Sequence, residues 1–219
     1  MCFSATASLT ATGILSILGL ATLKQISSKR ELLLGLFPCL FATQQLLEGL
    51  VWLSLDNYSL AWLNATSTYG FLLFATAIWL ILSPISVYLL ENDQLKRKII
   101  LLIAGLGLIL GVYLFISVSI KGISPQVFSG NLLYDLRFIP FYQLAKYLYL
   151  LIIVAPFFLA SANLLKVFGV LIIFSFVIAQ IFYSFTFVSV WCFFAALLSS
   201  AVHFILKNHK SAKLIAKNT

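Results

Sequence analysis

The sequence predicts an all-α integral membrane protein, a bundle of seven transmembrane helices with its N-terminus outside and its C-terminus inside. First, 62% of the 219 residues are hydrophobic and 9% are charged, whereas a soluble domain carries about 25% charged residues. Second, the apolar runs are long and continuous, unlike the ~10-residue alternating segments of an outer-membrane barrel. Third, the Lys and Arg residues lie between these runs, so the net charge of +8 indicates membrane topology and not nucleic-acid binding.

Seven segments reach the ~20 apolar residues that a helix needs to cross the bilayer. The first, residues 5–23, is the most polar, but its basic residues follow the apolar stretch, which a signal peptide would not show. We expect one transmembrane domain over residues 1–206 and a basic cytoplasmic tail over 207–219. The expected spans are 5–23, 32–55, 69–90, 99–120, 140–160, 165–184 and 186–206.

The basic residues predict the orientation. Eleven of the fourteen Lys and Arg lie on the side of the C-terminus, which is therefore expected to be cytoplasmic. On the outer side, residues 56–68 are expected to form an interfacial loop. The longest loop, 121–139, is either a lid over the outer face or a plain connector.

Polar side chains interrupt the second span in the stretch FATQQLLEGLVW. Gln44, Glu48 and Trp52 are spaced four residues apart and share one helix face, with Gln45 at its edge. A charged side chain at mid-helix costs ~2.5–3.5 kcal/mol on insertion scales, so such a face is expected to turn inward and to find a partner.

Depth along the spans places further polar residues at the level of Glu48. At ~1.5 Å per residue, Glu48 lies about 10 Å, and Lys146 and Cys192 about 9 Å, below the outer ends of their helices. Gln180 closes helix six in the same layer, and Trp191 precedes Cys192. We expect Lys146 to partner Glu48, directly or through water, either in a ligand site or as a structural clamp. The inner half is expected to be poor in buried polar residues.

The cysteines allow a weaker hypothesis. Cys2 and Cys192 could form a disulfide, or could bind a soft metal together with Glu48. The sequence names no cofactor.

Three short stretches carry a resemblance. MCFSATAS, FATQQLLEG and WCFFAA resemble an uncharacterised family of seven-helix bacterial membrane proteins, a domain of unknown function. The resemblance implies a multi-pass protein of the bacterial inner membrane and supplies no substrate. Its motif positions here are Cys2, Phe3, Ser4, Gln44, Gln45, Glu48, Gly49, Trp191 and Cys192.

Three functions remain open at this point, and the sequence does not decide whether the protein is an enzyme. In the first, a polar pocket on the outer side, around Glu48, binds or transports a small polar molecule, ion or proton. Trp52 and Trp191 would form apolar walls, and Gln44, Gln45 and Gln180 would supply hydrogen bonds. In the second, a membrane enzyme acts at the outer leaflet, on a lipid head group or by thiol or metal chemistry with Cys2, Cys192 and Glu48. In the third, the chain is a structural or accessory membrane subunit.

The lipid bilayer is the expected partner, and the oligomeric state is open.

Overall fold

The computed structural model describes residues 4–55 and 57–208, and it is an all-helical bundle. Among these residues, seven helices are long and apolar enough to cross a membrane, which confirms the predicted all-α bundle of seven transmembrane helices. We name these helices α1 to α7 in chain order: Ala5–Leu23, Lys29–Ser54, Tyr58–Leu90, Gln94–Lys121, Tyr142–Leu159, Asn163–Phe182 and Phe187–Asn208.

Helix α3 corrects the predicted outer loop at residues 56–68. It begins with a 3₁₀ turn at Tyr58–Leu60 and continues as an α-helix through Ala61–Leu73, so most of the expected loop is helical. Asn57 caps this start by accepting a hydrogen bond from the Ser59 amide at 3.0 Å. The polar composition that predicted a loop is therefore that of a capped helix start.

Helix α7 packs beside the first two helices of the bundle. Helix α1 packs on α2, α3 packs on α2 and α4, and α5 packs on α3, α4 and α6. Helix α7 contacts α6 and also returns to α1 and α2. The polar face of α2 therefore meets α7, although the two segments are about 140 residues apart in the chain.

The connection between α4 and α5 is built into the bundle. It contains a two-stranded antiparallel hairpin, β1 (Gln126–Phe128) and β2 (Asn131–Leu133), with positive φ at Ser129 and Gly130 in the turn. Strand β2 contacts α7. The side chains of Leu132, Tyr134, Leu136 and Ile139 are buried in the hydrophobic core. This segment therefore covers one end of the bundle, which we call the hairpin end.

Helices α3 and α4 cross at a close backbone contact. Pro84 has no N–H to bond the carbonyl of Leu80 one turn earlier. A Cβ added to Gly107 of α4 would lie 2.2 Å from that Leu80 oxygen, so only glycine fits there. Small residues permit such approaches between membrane helices.

The end opposite the hairpin contains buried carboxylates, which corrects the expectation of few buried polar side chains there. Glu31 and Glu91 are both buried. Glu91 follows α3 and accepts hydrogen bonds from the Asn92 amide at 2.8 Å and from the Ser161 amide at 2.7 Å. Because Ser161 lies between α5 and α6, this carboxylate links the α3–α4 connection to the α5–α6 connection.

Candidate functional site

The polar stretch of α2 faces the interior of the bundle. Gln44 and Gln45 are fully buried and Glu48 is 2% exposed, whereas Trp52 is half-buried. Gln44, Glu48 and Trp52 share a helix face because they are spaced four residues apart. This face is buried because α2 packs against α7 there. Three adjacent polar side chains thus lie in an interior that is otherwise mainly apolar.

Glu48 is held by hydrogen bonds from uncharged groups. The hydroxyl of Ser189 on α7 donates to Glu48 Oε1 at 2.5 Å, and Gln45 Nε2 donates to Oε2 at 3.4 Å. Ser189 is 1% exposed. Sequence reasoning missed this serine because a lone Ser in an apolar helix carries no distinctive signal. We call Gln44, Gln45, Glu48 and Ser189 the polar cluster.

Gln44 connects the polar cluster to α3. The indole Nε1 of Trp79 donates to Gln44 Oε1 at 2.7 Å. Trp79 directly follows a π-helical segment, Phe74–Ile78, and its ring stacks on Phe41 with 3.9 Å between centroids. The π-helical turn is a feature often found at functional sites, and it could not be predicted from the apolar sequence around it.

Several buried polar atoms have no hydrogen-bond partner within the described residues. Such atoms are rare, because each costs about 1–3 kcal/mol when it is left unpaired. Two of them belong to the polar cluster itself, and a third is on Trp52, one turn along the same helix. They are Gln44 Nε2, Gln45 Oε1, Trp52 Nε1, Thr68 Oγ1, Asn131 Oδ1 and the Tyr134 hydroxyl.

Tyr134 brings the hairpin segment to the polar cluster. Its ring stacks on Phe71 of α3 at 4.9 Å, and the side chain is 2% exposed. Burial, followed by the nearby carboxylate of Glu48, raises the pKa of Tyr134 well above its ordinary value. The phenol is therefore a neutral donor beside the carboxylate. Sequence reasoning placed this tyrosine in a loop and did not select it.

Lys146 does not form the expected direct ion pair with Glu48. Its Nζ donates to Gln180 Oε1 at 2.5 Å and lies 5.1 Å from the ring centroid of Phe187. Phe187 and Ser189 are two residues apart on α7 and so point to opposite sides of that helix. Glu48 and Lys146 therefore approach α7 from different sides, and the structural clamp between them is wrong as a direct contact.

Two small cavities meet at α7, each with a volume of about 50 Å³. The first is nearly apolar, and its lining residues include Phe37, Phe41 and Trp79. The second is lined by Lys146 and by residues of α3, α4, α5 and α7. We call them the apolar cavity and the lysine cavity. Their shared wall consists of Tyr149, Trp191 and Cys192.

The aromatic and thiol residues predicted on α7 line the same cavities but have different polar neighbours. Trp191 is buried, and its Nε1 donates to Ser175 of α6 at 3.2 Å. Cys192 has a free thiol and adjoins Gln44. It thus lies next to the polar cluster and also lines the two cavities.

Cys2, which the predicted metal and disulfide sites have in common, lies outside the described residues. Within residues 4–55 and 57–208, no group of three or more His, Cys, Asp or Glu side chains could hold a metal ion. Much of the basic tail also lies outside the described residues.

The profile of one protein family matches nearly the whole chain. It is described as a family of unknown function (DUF6629) and covers residues 1–217. The chain belongs to this family. The resemblance to an uncharacterised family is thus confirmed, and membership supplies no activity. No curated protein and no solved structure matches the chain in the same comparisons.

Proposed function

We propose that the protein binds a small cation, or a proton, at Glu48 and passes it through the bundle from the outer side. The observation that supports this proposal best is the environment of Glu48. The carboxylate is 2% exposed, and within the described residues no cation pairs with it. A carboxylate at this depth requires a positive partner or a proton.

The buried polar atoms that lack a hydrogen-bond partner favour a bound polar ligand over a purely structural cluster. Gln45 Oε1 offers an acceptor, and Gln44 Nε2, Trp52 Nε1 and the Tyr134 hydroxyl offer donors. The Gln45 acceptor adds to the carboxylate as a possible cation ligand, and the donors can bond the water molecules of a hydrated cation. A purely structural cluster would be expected to satisfy these atoms internally.

Two cavities adjoin the polar cluster through Cys192, which lies next to Gln44, and they support transfer through the bundle. The lysine cavity lies toward the hairpin end, and the apolar cavity reaches Phe37 in the first turn after Gly35 of α2. Because they share a wall, a rearrangement of that wall would connect them. A pocket that ended near Glu48 would instead favour an enzyme acting at the outer leaflet.

Binding can be measured on the purified full chain in detergent. Thermal unfolding would be followed in sodium, potassium and ethanolammonium chloride at equal chloride concentration. We expect at least one cation to raise the midpoint saturably, and Glu48→Gln to abolish that shift. Asp135→Asn, a substitution of an exposed carboxylate, is the matched control and should keep the shift.

A bound proton requires a second readout. Infrared difference spectra recorded as the pH is varied should contain a protonated-carboxyl band that is missing in Glu48→Gln. For transfer, vesicles containing the protein and an internal pH dye should admit protons faster than vesicles containing Glu48→Gln. Absence of every cation shift together with absence of that carboxyl band would leave Glu48 a structural residue.

A further inference from the structure

We propose that the lysine cavity is a binding site for a small anion, either inorganic or the carboxylate of an organic solute. This inference goes beyond the proposed function, because it assigns a ligand to Lys146 in a cavity that the proposed function uses only as a passage, and because it does not involve Glu48. Its basis is an excess of hydrogen-bond donors and positive charge along one small cavity between the helices.

The first observation is the unpaired charge of Lys146. The side chain is 7% exposed, and within the part of the chain that the structure describes no carboxylate forms an ion pair with it. Among those residues, its one hydrogen bond goes to Gln180 Oε1. An ammonium group has three N–H donors, so two remain without an acceptor.

The second observation is that neutral rings surround the amine. Its nitrogen lies 5.7, 5.6 and 5.1 Å from the ring centroids of Tyr142, Tyr147 and Phe187. Cation–π contacts at such distances stabilise an ammonium group, but they leave the net charge of the site at +1. A bound anion would neutralise that charge inside the bundle, where an uncompensated charge is costly.

The third observation is the set of hydroxyls on the cavity wall. Tyr142 and Tyr149 both line the lysine cavity, and neither hydroxyl has a hydrogen-bond partner within the described residues. The hydroxyl of Thr76, in contrast, donates to the carbonyl of Leu72. No Asp or Glu occurs among the described residues that line this cavity. Available donors without a carboxylate favour an anion over a cation.

The size of the cavity limits the ligand. Its volume of about 50 Å³ exceeds the ~10–15 Å³ that one water molecule requires. Chloride, nitrate or the carboxylate of formate would fit, whereas a large organic anion would not. These three ions are therefore the probes.

The experiment uses thermal unfolding of the purified full chain at constant sodium concentration. Chloride, nitrate and formate would be titrated against gluconate, which is too large for the cavity. We expect a saturable rise of the unfolding midpoint. Lys146→Met should abolish it, while Lys146→Arg, which keeps the charge, should retain it. A response to formate alone would indicate a carboxylate ligand, and a response to chloride or nitrate an inorganic one.

Two control variants separate this site from other parts of the protein. Lys121→Met removes an exposed lysine at the end of α4, and Glu48→Gln removes the carboxylate on the other side of α7. Both should keep the anion response, so the proposed cation site can fail while this one stands. No saturable response, or a response that persists in Lys146→Met, would overturn the anion site.

A conservative variant covers the case in which Lys146→Met does not fold. Tyr149→Phe removes one hydroxyl donor and keeps the ring. Loss of one hydrogen bond should weaken anion binding about three- to tenfold. The dissociation constant can be read from chloride NMR line broadening. An unchanged constant in Tyr149→Phe would count against the cavity as the binding place.

Discussion

The hydroxyl of Ser189 donates a hydrogen bond to the carboxylate of Glu48, which joins the start of α7 to the middle of α2. This contact brings together two of the three stretches that carry the family resemblance, FATQQLLEG of α2 and, two residues after Ser189, WCFFAA of α7. It also replaces the ion pair that the sequence led us to expect. The polar cluster is therefore organised by hydrogen bonds between uncharged groups and one carboxylate.

Ser189→Ala tests the stabilising effect of this hydrogen bond. Hydrogen bonds between membrane helices contribute ~0.6 kcal/mol on average and up to ~1.7 kcal/mol. Because Glu48 is buried, we expect a loss near the upper value, about 1.5 kcal/mol, in the free energy of unfolding. Ser119→Ala is the control, since that hydroxyl bonds only its own helix at Phe115 and is exposed. Equal effects of the two substitutions would contradict this role.

A double-mutant cycle tests the absence of a Glu48–Lys146 contact. The variants are Glu48→Gln, Lys146→Met and their combination. Residues without contact or shared partners have additive effects within about 0.5 kcal/mol. We therefore expect a coupling free energy below that value in reversible unfolding. A coupling of about 2 kcal/mol or more would indicate that the two side chains pair in the membrane.

Tyr134→Phe distinguishes a ligand-binding hydroxyl from a structural one. The hydroxyl has no protein partner among the described residues, so its removal should leave stability unchanged or slightly higher. If the group serves the cation proposed at Glu48, the variant should reduce the cation-dependent shift of the unfolding midpoint. Tyr58→Phe, at an exposed tyrosine, is the control. A loss of stability above about 1 kcal/mol would show that the hydroxyl is structural.

Gly107→Ala tests the contact between α3 and α4. The added Cβ would lie 2.2 Å from the carbonyl oxygen of Leu80, a position that no real Cβ adopts, so the helices must separate. We expect a loss of about 1–3 kcal/mol, as for other overpacked sites. Gly105→Ala is a matched control on the same helix, because its Cβ would meet no atom within 4 Å. It should have no effect or a slight stabilising one.

The pH dependence of stability tests Glu91. Burial alone would raise its pKa, but hydrogen bonds from the backbone N–H groups of Asp93, Ser161 and Asn92 and from the Ser161 hydroxyl lower it below 4.5. The folded pKa is thus below the unfolded one. The stabilisation is complete above the unfolded pKa and is lost as the pH falls through the folded pKa.

The corresponding variant is Glu91→Gln. It should remove about 1–2 kcal/mol at neutral pH, typical of hydrogen bonds to a charged group, and less at acid pH. Unfolding measured over a pH series checks this difference. Asp135→Asn, at the hairpin end, is the control. In this variant, the pH dependence of stability that Glu91 causes should remain. A Glu91→Gln variant with the same pH dependence as the wild-type protein would rule out this assignment.

The sequence by itself determined the membrane class, the seven helices and the inward polar face of α2. These follow from local properties: the length of apolar runs and the spacing of Gln44, Glu48 and Trp52 along one helix. Spacing within a helix determines which side chains share a face. The cost of exposing a charge to lipid determines that this face points into the bundle. No knowledge of distant contacts is needed for either step.

Only the tertiary structure decided which groups meet that face. Depth along the spans placed Lys146 at the level of Glu48, but depth does not specify the rotation of α5 and α7 about their axes. That rotation turned Ser189 toward Glu48 and Phe187 toward Lys146. It is fixed by side-chain packing between helices that are far apart in the chain, and a single apolar sequence allows many such packings.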